Sequence, residues 1–335
     1  MQCKAVQLEL LVRRRPREVI ILLITVFLFL SPFSLPRTSY NAPVNTAYSN
    51  PIQSTDWSRF AYVQYATTTD YLCNSVMIFE ALTRLKSKAE RLLMYPAYYP
   101  VDENSIQGQL LRKARDEYGV NLMPVQLHGR ETEDETWAYS YTKLLAFNQT
   151  QYDRVLSLDS DATLLQPMDE LFLLPSSPVA MPRAYWFNTT DLRLSSQVML
   201  VQPSAFEFDR IMKSVDIAGP STYDMDIMNN LYKGNALILP HRPYDLLTGE
   251  FRREDHSLYM GNSLEQWDPS VVLEEAKYIH FSDWPILKPW FQTSEETIEA
   301  QQPTCNTNTT TGEEICRARN LWREFYSEFV KRRKV

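Results

Sequence analysis

The run Arg154-Val-Leu-Ser-Leu-Asp-Ser-Asp-Ala-Thr-Leu-Leu165 places two carboxylates, Asp159 and Asp161, directly after a short apolar stretch. Val155, Leu156 and Leu158 read as a buried strand bounded by polar residues. Carboxylates at the end of such a strand cannot turn into the core without a large desolvation cost, so they must face water, a cation, or both. The carboxyl edge of an open α/β sheet is also where such folds bind ligands. A hard divalent cation held by oxygen atoms, with substrate phosphates completing its shell, suits this placement. The plain alternative is a solvated acidic turn. Other residues supply matching chemistry. His280, in His280-Phe-Ser-Asp-Trp-Pro-Ile-Leu-Lys-Pro-Trp290, can complete a mixed oxygen and nitrogen shell around Mn²⁺. Lys288, between Leu287 and Pro289, can set a cation against a diphosphate. Asp224 opens Asp-Met-Asp-Ile-Met-Asn229 and reads either as a helix N-cap or as a group beside sugar hydroxyls, with Asp226 as the alternate register. Lys143 precedes the acidic strand and can pair with a site carboxylate. Taken singly, each also fits a structural role: a core histidine, a surface or solvated lysine, a cap, and, for Trp284 and Trp290, simple packing.

The elements that must position these groups alternate. Phe60–Ala66, Arg91–Tyr95, Leu122–Leu127 and Arg154–Leu158 have strand character. Tyr71–Leu85, Ile106–Tyr118 and Trp137–Phe147 are predicted to be helices, the first with Leu72, Val76, Phe79, Leu82 and Leu85 on one face. This alternation with short connectors predicts a parallel α/β sheet with helices on both faces. Beyond Asp161 the pattern loosens. Val179–Met181, Val198–Gln202, Leu237–Leu239 and Ala276–Ile279 are expected strands. Phe206–Val215, Asp224–Leu231 and an aromatic-rich Ile315–Val330 are expected helices, with the basic Lys331–Lys334 end in solvent.

The chain has 335 residues, 44% of them hydrophobic, enough for a sizeable core. With 8 Gly against 20 Pro it carries neither G-x-G-x-x-G nor a Walker-type phosphate loop. A net charge of −7, with no basic stripe in the globular part, argues against nucleic acid as a partner. Arg13, Arg14, Arg15 and Arg17 precede the apolar run Val19–Leu30, and apolar character extends to Leu35. The expected organisation is a cytosolic tail (1–17), a signal-anchor helix (18–35), a Pro/Ser/Thr/Asn-rich stem (36–56) and a lumenal catalytic domain (57–335). A cleaved signal peptide is the competing reading. Both direct the rest of the chain into the secretory pathway. Sequons at Asn148, Asn188 and Asn308 agree with that, Asn148 being expected near the core. So does an expected disulfide between Cys305 and Cys316, with Cys73 buried in a helix.

Ala61-Tyr-Val-Gln-Tyr-Ala-Thr-Thr68, Lys143-Leu144, Leu158-Asp-Ser-Asp161, Asp224-x-x-x-Met-Asn229 and His280…Lys288-Pro-Trp290 together resemble glycosyltransferase family 8. The Phe281-Ser-Asp-Trp-Pro285 segment is most similar to the fungal Golgi N-acetylglucosaminyltransferase branch. The resemblance spans about Trp57 to Trp290. It implies a GT-A fold, a UDP-sugar donor, a glycan or glycoprotein acceptor such as a mannose-containing N-glycan, and retention at the anomeric carbon. It further implies Mn²⁺ held by Asp159, Asp161 and His280, with Lys288 on the diphosphate. Tyr65, Thr67 and Tyr71 would lie beside uridine, Lys143 and Asp224 beside the donor sugar. The implied residence is the Golgi membrane, single-pass, with the catalytic domain lumenal. Three departures lie near the sugar: Ser195-Ser-Gln197-Val-Met199 stands where the family often has Asn-Ala/Ser-Gly, Asp224-Met225 replaces Asp-Gln, and no glycine lies between His280 and Lys288. They leave the donor and the acceptor open and support an alternative, a catalytically inactive lumenal glycan-binding protein of the same fold. A metal-dependent phosphohydrolase would want an early Asp nucleophile or a second metal, and the sequence offers neither set. Acceptor recognition is expected from Pro182–Leu194 and Tyr244–Gln266.

Overall fold

The computed structural model describes residues 55–129, 139–187, 190–262, 264–307 and 314–333. The expected anchor and nearly all of the stem lie outside them. Among the described residues no helix is long and apolar enough to cross a membrane.

The strands are β1 (Phe60–Tyr65), β2 (Glu90–Pro96), β3 (Asn121–Val125), β4 (Arg154–Leu158), β5 (Ala162–Leu164), β6 (Val179–Pro182), β7 (Val198–Val201), β8 (Leu237–Leu239), β9 (Leu246–Leu247) and β10 (Tyr278–His280). The main sheet runs β3-β2-β1-β4-β7-β6-β8. β1, β2, β3 and β4 pair in parallel. β1 and β4 hold apolar side chains on both faces, as central parallel strands require. The sheet is mostly parallel, as the expected Rossmann-like α/β fold requires, and β7 is the exception, pairing antiparallel with both β4 and β6. A small sheet, β5-β10-β9, sits where the chain continues past the acidic pair.

Helix α1 (Thr69–Arg84) starts at Thr68, whose hydroxyl accepts from Tyr71 N, and buries Leu72, Val76, Phe79 and Leu82. Helix α2 (Ile106–Tyr118) starts at the Ser105 cap and stops at Gly119, whose φ of 62° suits a residue without Cβ. Both cover one face of the sheet. The 3-10 helix Ser140–Asn148 and helices α3 (Ala205–Asp216) and α4 (Asp224–Tyr232) cover the other. The expected α-helix Trp137–Phe147 is therefore corrected: its described part is a 3-10 helix, and Ser140 through Phe147 are all buried. A segment buried all round has no solvent face to enforce a 3.6-residue period, so packing decides its geometry. The Cys305–Cys316 disulfide forms, Cys73 is buried on α1, and Asn148 is exposed rather than near the core.

The C-terminal helix Arg317–Arg333 corrects another expectation. Arg332 and Arg333 are buried, not solvated. Arg332 donates to Met77 O at 2.9 Å and pairs with Glu80 at 3.0 Å. Arg333 donates to Asp70 and Asn74, and its guanidinium lies 5.6 Å over the Trp290 ring. These bonds latch the helix onto α1. Arg332→Met is expected to cost about 1–3 kcal/mol in urea unfolding, because the part-buried Glu80 carboxylate loses an ion-pair partner and the Met77 carbonyl its side-chain donor. Glu80 keeps Arg84 at 3.2 Å, which limits the loss.

Candidate active site

The acidic turn is fastened by backbone and side-chain bonds before any ligand is considered. Asp159 N donates to Gln197 O at 3.0 Å, and Phe281 N donates to Asp161 O at 2.9 Å. Tyr278 OH donates to Asp159 O at 2.8 Å. β10 pairs antiparallel with β5 so that His280 faces Ala162, next to Asp161. The β5–β10 pairing thus joins a histidine to carboxylates more than a hundred residues earlier. His280 Nε2 lies 3.1 Å from Asp161 Oδ1 and 3.9 Å from Asp159 Oδ2. One ligand atom from each of Asp159, Asp161 and His280 falls within 4.8 Å of the others. His280 Nδ1 is buried without a hydrogen-bond partner among the described residues. Two carboxylate oxygens and an imidazole nitrogen at these separations form a donor set that fits one divalent ion.

Each acid also meets a lysine. Lys288 Nζ lies 2.7 Å from Asp161 Oδ2 and donates to Phe281 O. Lys143 is buried, its Nζ 2.8 Å from Asp159 Oδ1, 2.9 Å from Asp224 Oδ2 and 3.2 Å from Ser196 O. Burial alone would lower the Lys143 pKa, but Asp159 and Asp224 outweigh it and hold the ammonium firmly charged. Burial alone would raise Asp161, yet His280 and Lys288 hold it well below the usual carboxylate range. Asp159 is raised: burial and its neighbour Asp161 exceed the pull of Lys143. Tyr65 OH donates to Asp159 Oδ1 at 3.0 Å, and burial, then the site acids, push this phenol up.

Asp224 is not the cap of α4. Tyr223 occupies that position, and Asp226 accepts from its N–H at 3.0 Å. Asp224 lies buried one residue inside the helix, also accepting from Ser196 Oγ at 2.7 Å. Asn229 clamps Leu194, accepting from its N–H at 2.7 Å and donating to its carbonyl at 2.9 Å. That clamp sets Ser195-Ser196-Gln197 against α4.

Asp159, Asp161, His280, Lys143, Lys288, Asp224 and Tyr65 therefore converge. Thr67 lies half-buried at the β1–α1 turn. Tyr71 meets Trp290, two residues past Lys288, edge-on with ring centroids 5.4 Å apart. Trp284 is 85% exposed, so it does not pack as a core residue. Asp283 anchors the segment instead, accepting from Trp322 Nε1, Tyr326 OH and Arg252.

Sequence reasoning missed Asp245. Its carboxylate is fully buried with no hydrogen-bond partner among the described residues. The Ser195 hydroxyl faces it and offsets part of that cost without the geometry of a full hydrogen bond. Burial, with Asp159 adding, pushes its pKa well above the carboxylate range. The only signal was a carboxylate preceding the apolar pair Leu246-Leu247. The folded chain binds this proton more tightly than the unfolded chain, whose Asp titrates near about 3.9. The resulting stability is whole below about pH 3.9 and is lost as pH rises through the folded value. Asp245→Asn does not titrate. Its melting temperature relative to wild type is expected to climb between about pH 4 and pH 7. A difference independent of pH would contradict this.

No family model matches the chain. It is 58% identical over 286 residues to glucose N-acetyltransferase 1 of Gibberella zeae, an alignment covering 83% of this chain and 62% of that relative's length. It is 45% identical over 311 residues to glucose N-acetyltransferase 1 of Aspergillus fumigatus, covering 88% of this chain and 80% of the relative. Among solved structures, the Streptococcus pneumoniae glycosyltransferase GlyE superposes with a TM-score of 0.52 at 17% identity, over 80% of this chain and 60% of its own, which establishes the shared fold. An α/β fold of this kind, an acidic pair completed by histidine at its strand edge, and 45% identity across most of the Aspergillus protein lead to one conclusion: the chain belongs to the fungal glucose N-acetyltransferase 1 group of family 8, GT-A glycosyltransferases.

Proposed function

We propose that the protein transfers N-acetylglucosamine from UDP-GlcNAc to a mannose-containing glycan, with retention at the anomeric carbon. The observation that carries this reading is the meeting of Asp159, Asp161 and His280 at one point, with Lys288 2.7 Å from Asp161 and Lys143 2.8 Å from Asp159. The name shared by the Gibberella and Aspergillus relatives joins glucose to an N-acetyl group and supports this choice of sugar.

Asp159, Asp161 and His280 would hold Mn²⁺, which when bound supplies Lewis-acid stabilisation of the diphosphate leaving group. Lys288 adds a second positive charge. As the anomeric C–O bond breaks, charge grows on the diphosphate, and a cation already in place stabilises the transition state more than the ground state. Asp224 is better placed to orient than to attack. It is 2% exposed, and its Oδ2 is engaged by both Lys143 and Ser196. A carboxylate held that way supports front-side displacement, in which the departing phosphate oxygen takes the acceptor's proton. Tyr65, Thr67 and Tyr71 would border uridine, and Pro182–Leu194 with Tyr244–Gln266 would border the acceptor.

The Cys305–Cys316 bridge supports an oxidising compartment. The Arg-flanked apolar run from Val19 to Leu35 supports a signal anchor, with residence in the Golgi membrane and the domain facing the lumen. The test is a screen of UDP-sugars with Mn²⁺ and mannosylated acceptors, followed by linkage analysis of the product. UDP-GlcNAc should give the highest kcat/KM and an α-linked product. Turnover of a different donor, or of none, would overturn the reading.

A further inference from the structure

The sequon Asn148-Gln-Thr150 takes no part in the chemistry above. Asn148 and Thr150 are both exposed, while Gln149 between them is buried, its Nε2 donating to Leu145 O at 3.0 Å. The buried glutamine pins the segment and leaves the two sequon side chains outside. Thr150 N donates to Asn148 O at 2.9 Å, so the three residues close a tight turn at the end of the 3-10 helix. The sequons at Asn188 and Asn308 lie outside the described residues.

The strand register shows which edge of the sheet this turn occupies. Phe147 O accepts from Ser204 N at 3.0 Å, and Ser204 follows the end of β7, whose Val201 pairs with Val155 at the start of β4. Past the turn, Tyr152 OH donates to Glu90 Oε2 at 2.9 Å and accepts from Asn121 Nδ2 at 3.1 Å, at the first residues of β2 and β3. Asp153 N donates to Arg59 O at 2.8 Å, immediately before β1. Asn148 therefore leads into a segment that runs along the amino ends of the parallel strands. Asp159 and Asp161 follow the carboxyl end of β4, roughly 16 Å away along that strand. A bulky group on Asn148 leaves that opposite edge open to donor and acceptor.

We propose that Asn148 carries an N-linked oligosaccharide, transferred in the lumen from a lipid-diphosphate donor by a membrane-bound transferase. Asn148 Nδ2 bonds to the anomeric carbon of the oligosaccharide. That carbon's bond to the lipid diphosphate breaks, the diphosphate leaves with the electron pair, and the amide releases one proton. Thr150 supplies the hydroxyl that the sequon requires. This inference rests on the lumenal reading of residues 57–335.

The experiment is translation of the full chain with microsomes, then protease protection, then electrophoresis before and after glycosidase treatment. Asn188→Gln/Asn308→Gln, which keeps Asn148 as the sole sequon, is expected to be protected and to run slower by one glycan, a shift that the glycosidase removes. Adding Thr150→Ala, which keeps the asparagine, should abolish the shift. The readout is covalent mass, so it holds whether or not a variant folds. A protected chain that runs unmodified overturns the assignment of Asn148 while the lumenal reading stands. A chain digested without detergent overturns the lumenal reading, and Asn148 with it. Purified Asn148→Gln should release UDP within about twofold of glycosylated wild type, as a surface change away from the reacting groups allows. Loss of most of the activity would overturn the placement of the glycan on the far edge.

Discussion

Asp161→Ala is expected to lower Mn²⁺-dependent UDP release from UDP-GlcNAc by about 10²–10³, and also to lower stability at neutral pH, since a buried acid held ionised by two partners stabilises the fold. Asp161 is a buried acid kept ionised by His280 and Lys288, so its charge is in place before substrate arrives. The substitution removes one of three candidate ligands and the partner that orients Lys288. The fold around it persists, because the bond from Phe281 N to Asp161 O is made by backbone and survives any side-chain change. Lys288 also retains the Phe281 carbonyl. Steady-state rates with and without metal, beside melting curves, separate the two effects. A variant within a few-fold of wild type would contradict a role for Asp161 in the reaction.

Lys143→Met is expected to act in the opposite way, on stability first. The ammonium is the common partner of Asp159 and Asp224, within 3 Å of each, and is 3% exposed. Its loss leaves two neighbouring buried carboxylates without the cation between them, held by the Tyr65 and Ser196 hydroxyls and the more distant His280, a change that typically costs about 3–5 kcal/mol. The cost should grow with pH, because Asp159, whose pKa burial already raises, can shed its charge by protonation at low pH. Lys143→Met/Asp224→Asn should recover part of it, since one of the two stranded charges is gone. Urea unfolding of the three proteins at two pH values is the measurement. A single variant within about 1 kcal/mol of wild type would mean that water reaches these acids and that the network is weaker than its geometry implies.

The metal-type cluster was legible in the sequence because two of its members, Asp159 and Asp161, lie two residues apart just past the end of a strand that local pattern identifies. Arg154–Leu158 and Ile106–Tyr118 have the predicted boundaries. The first is a short apolar run ended by acids, the second a one-sided helix with a serine cap and a glycine stop. Elements buried on every side were less legible. Ser140–Phe147 reads as a helix of no particular period and folds as a 3-10 helix because packing surrounds it. The direction of β7 was hidden as well, since a fully buried strand has the same composition in parallel and antiparallel pairing. Arg332 and Arg333 looked like a solvated basic end. Their partners, Glu80 and Asp70, lie some 250 residues earlier, and no local pattern records such a pairing. Asp245 escaped for a related reason. A buried polar group without a partner is visible only once the surrounding elements are assembled.

The convergence of Asp159, Asp161 and His280 on one ion is tested most directly by Mn²⁺ titration followed by electron paramagnetic resonance, with UDP present. Wild type is expected to take up a single saturable ion. Asp159→Asn and His280→Ala are each expected to bind it at least about tenfold more weakly, as loss of a ligand to a small site requires. Uptake by His280→Ala with wild-type affinity would contradict a shared ion site.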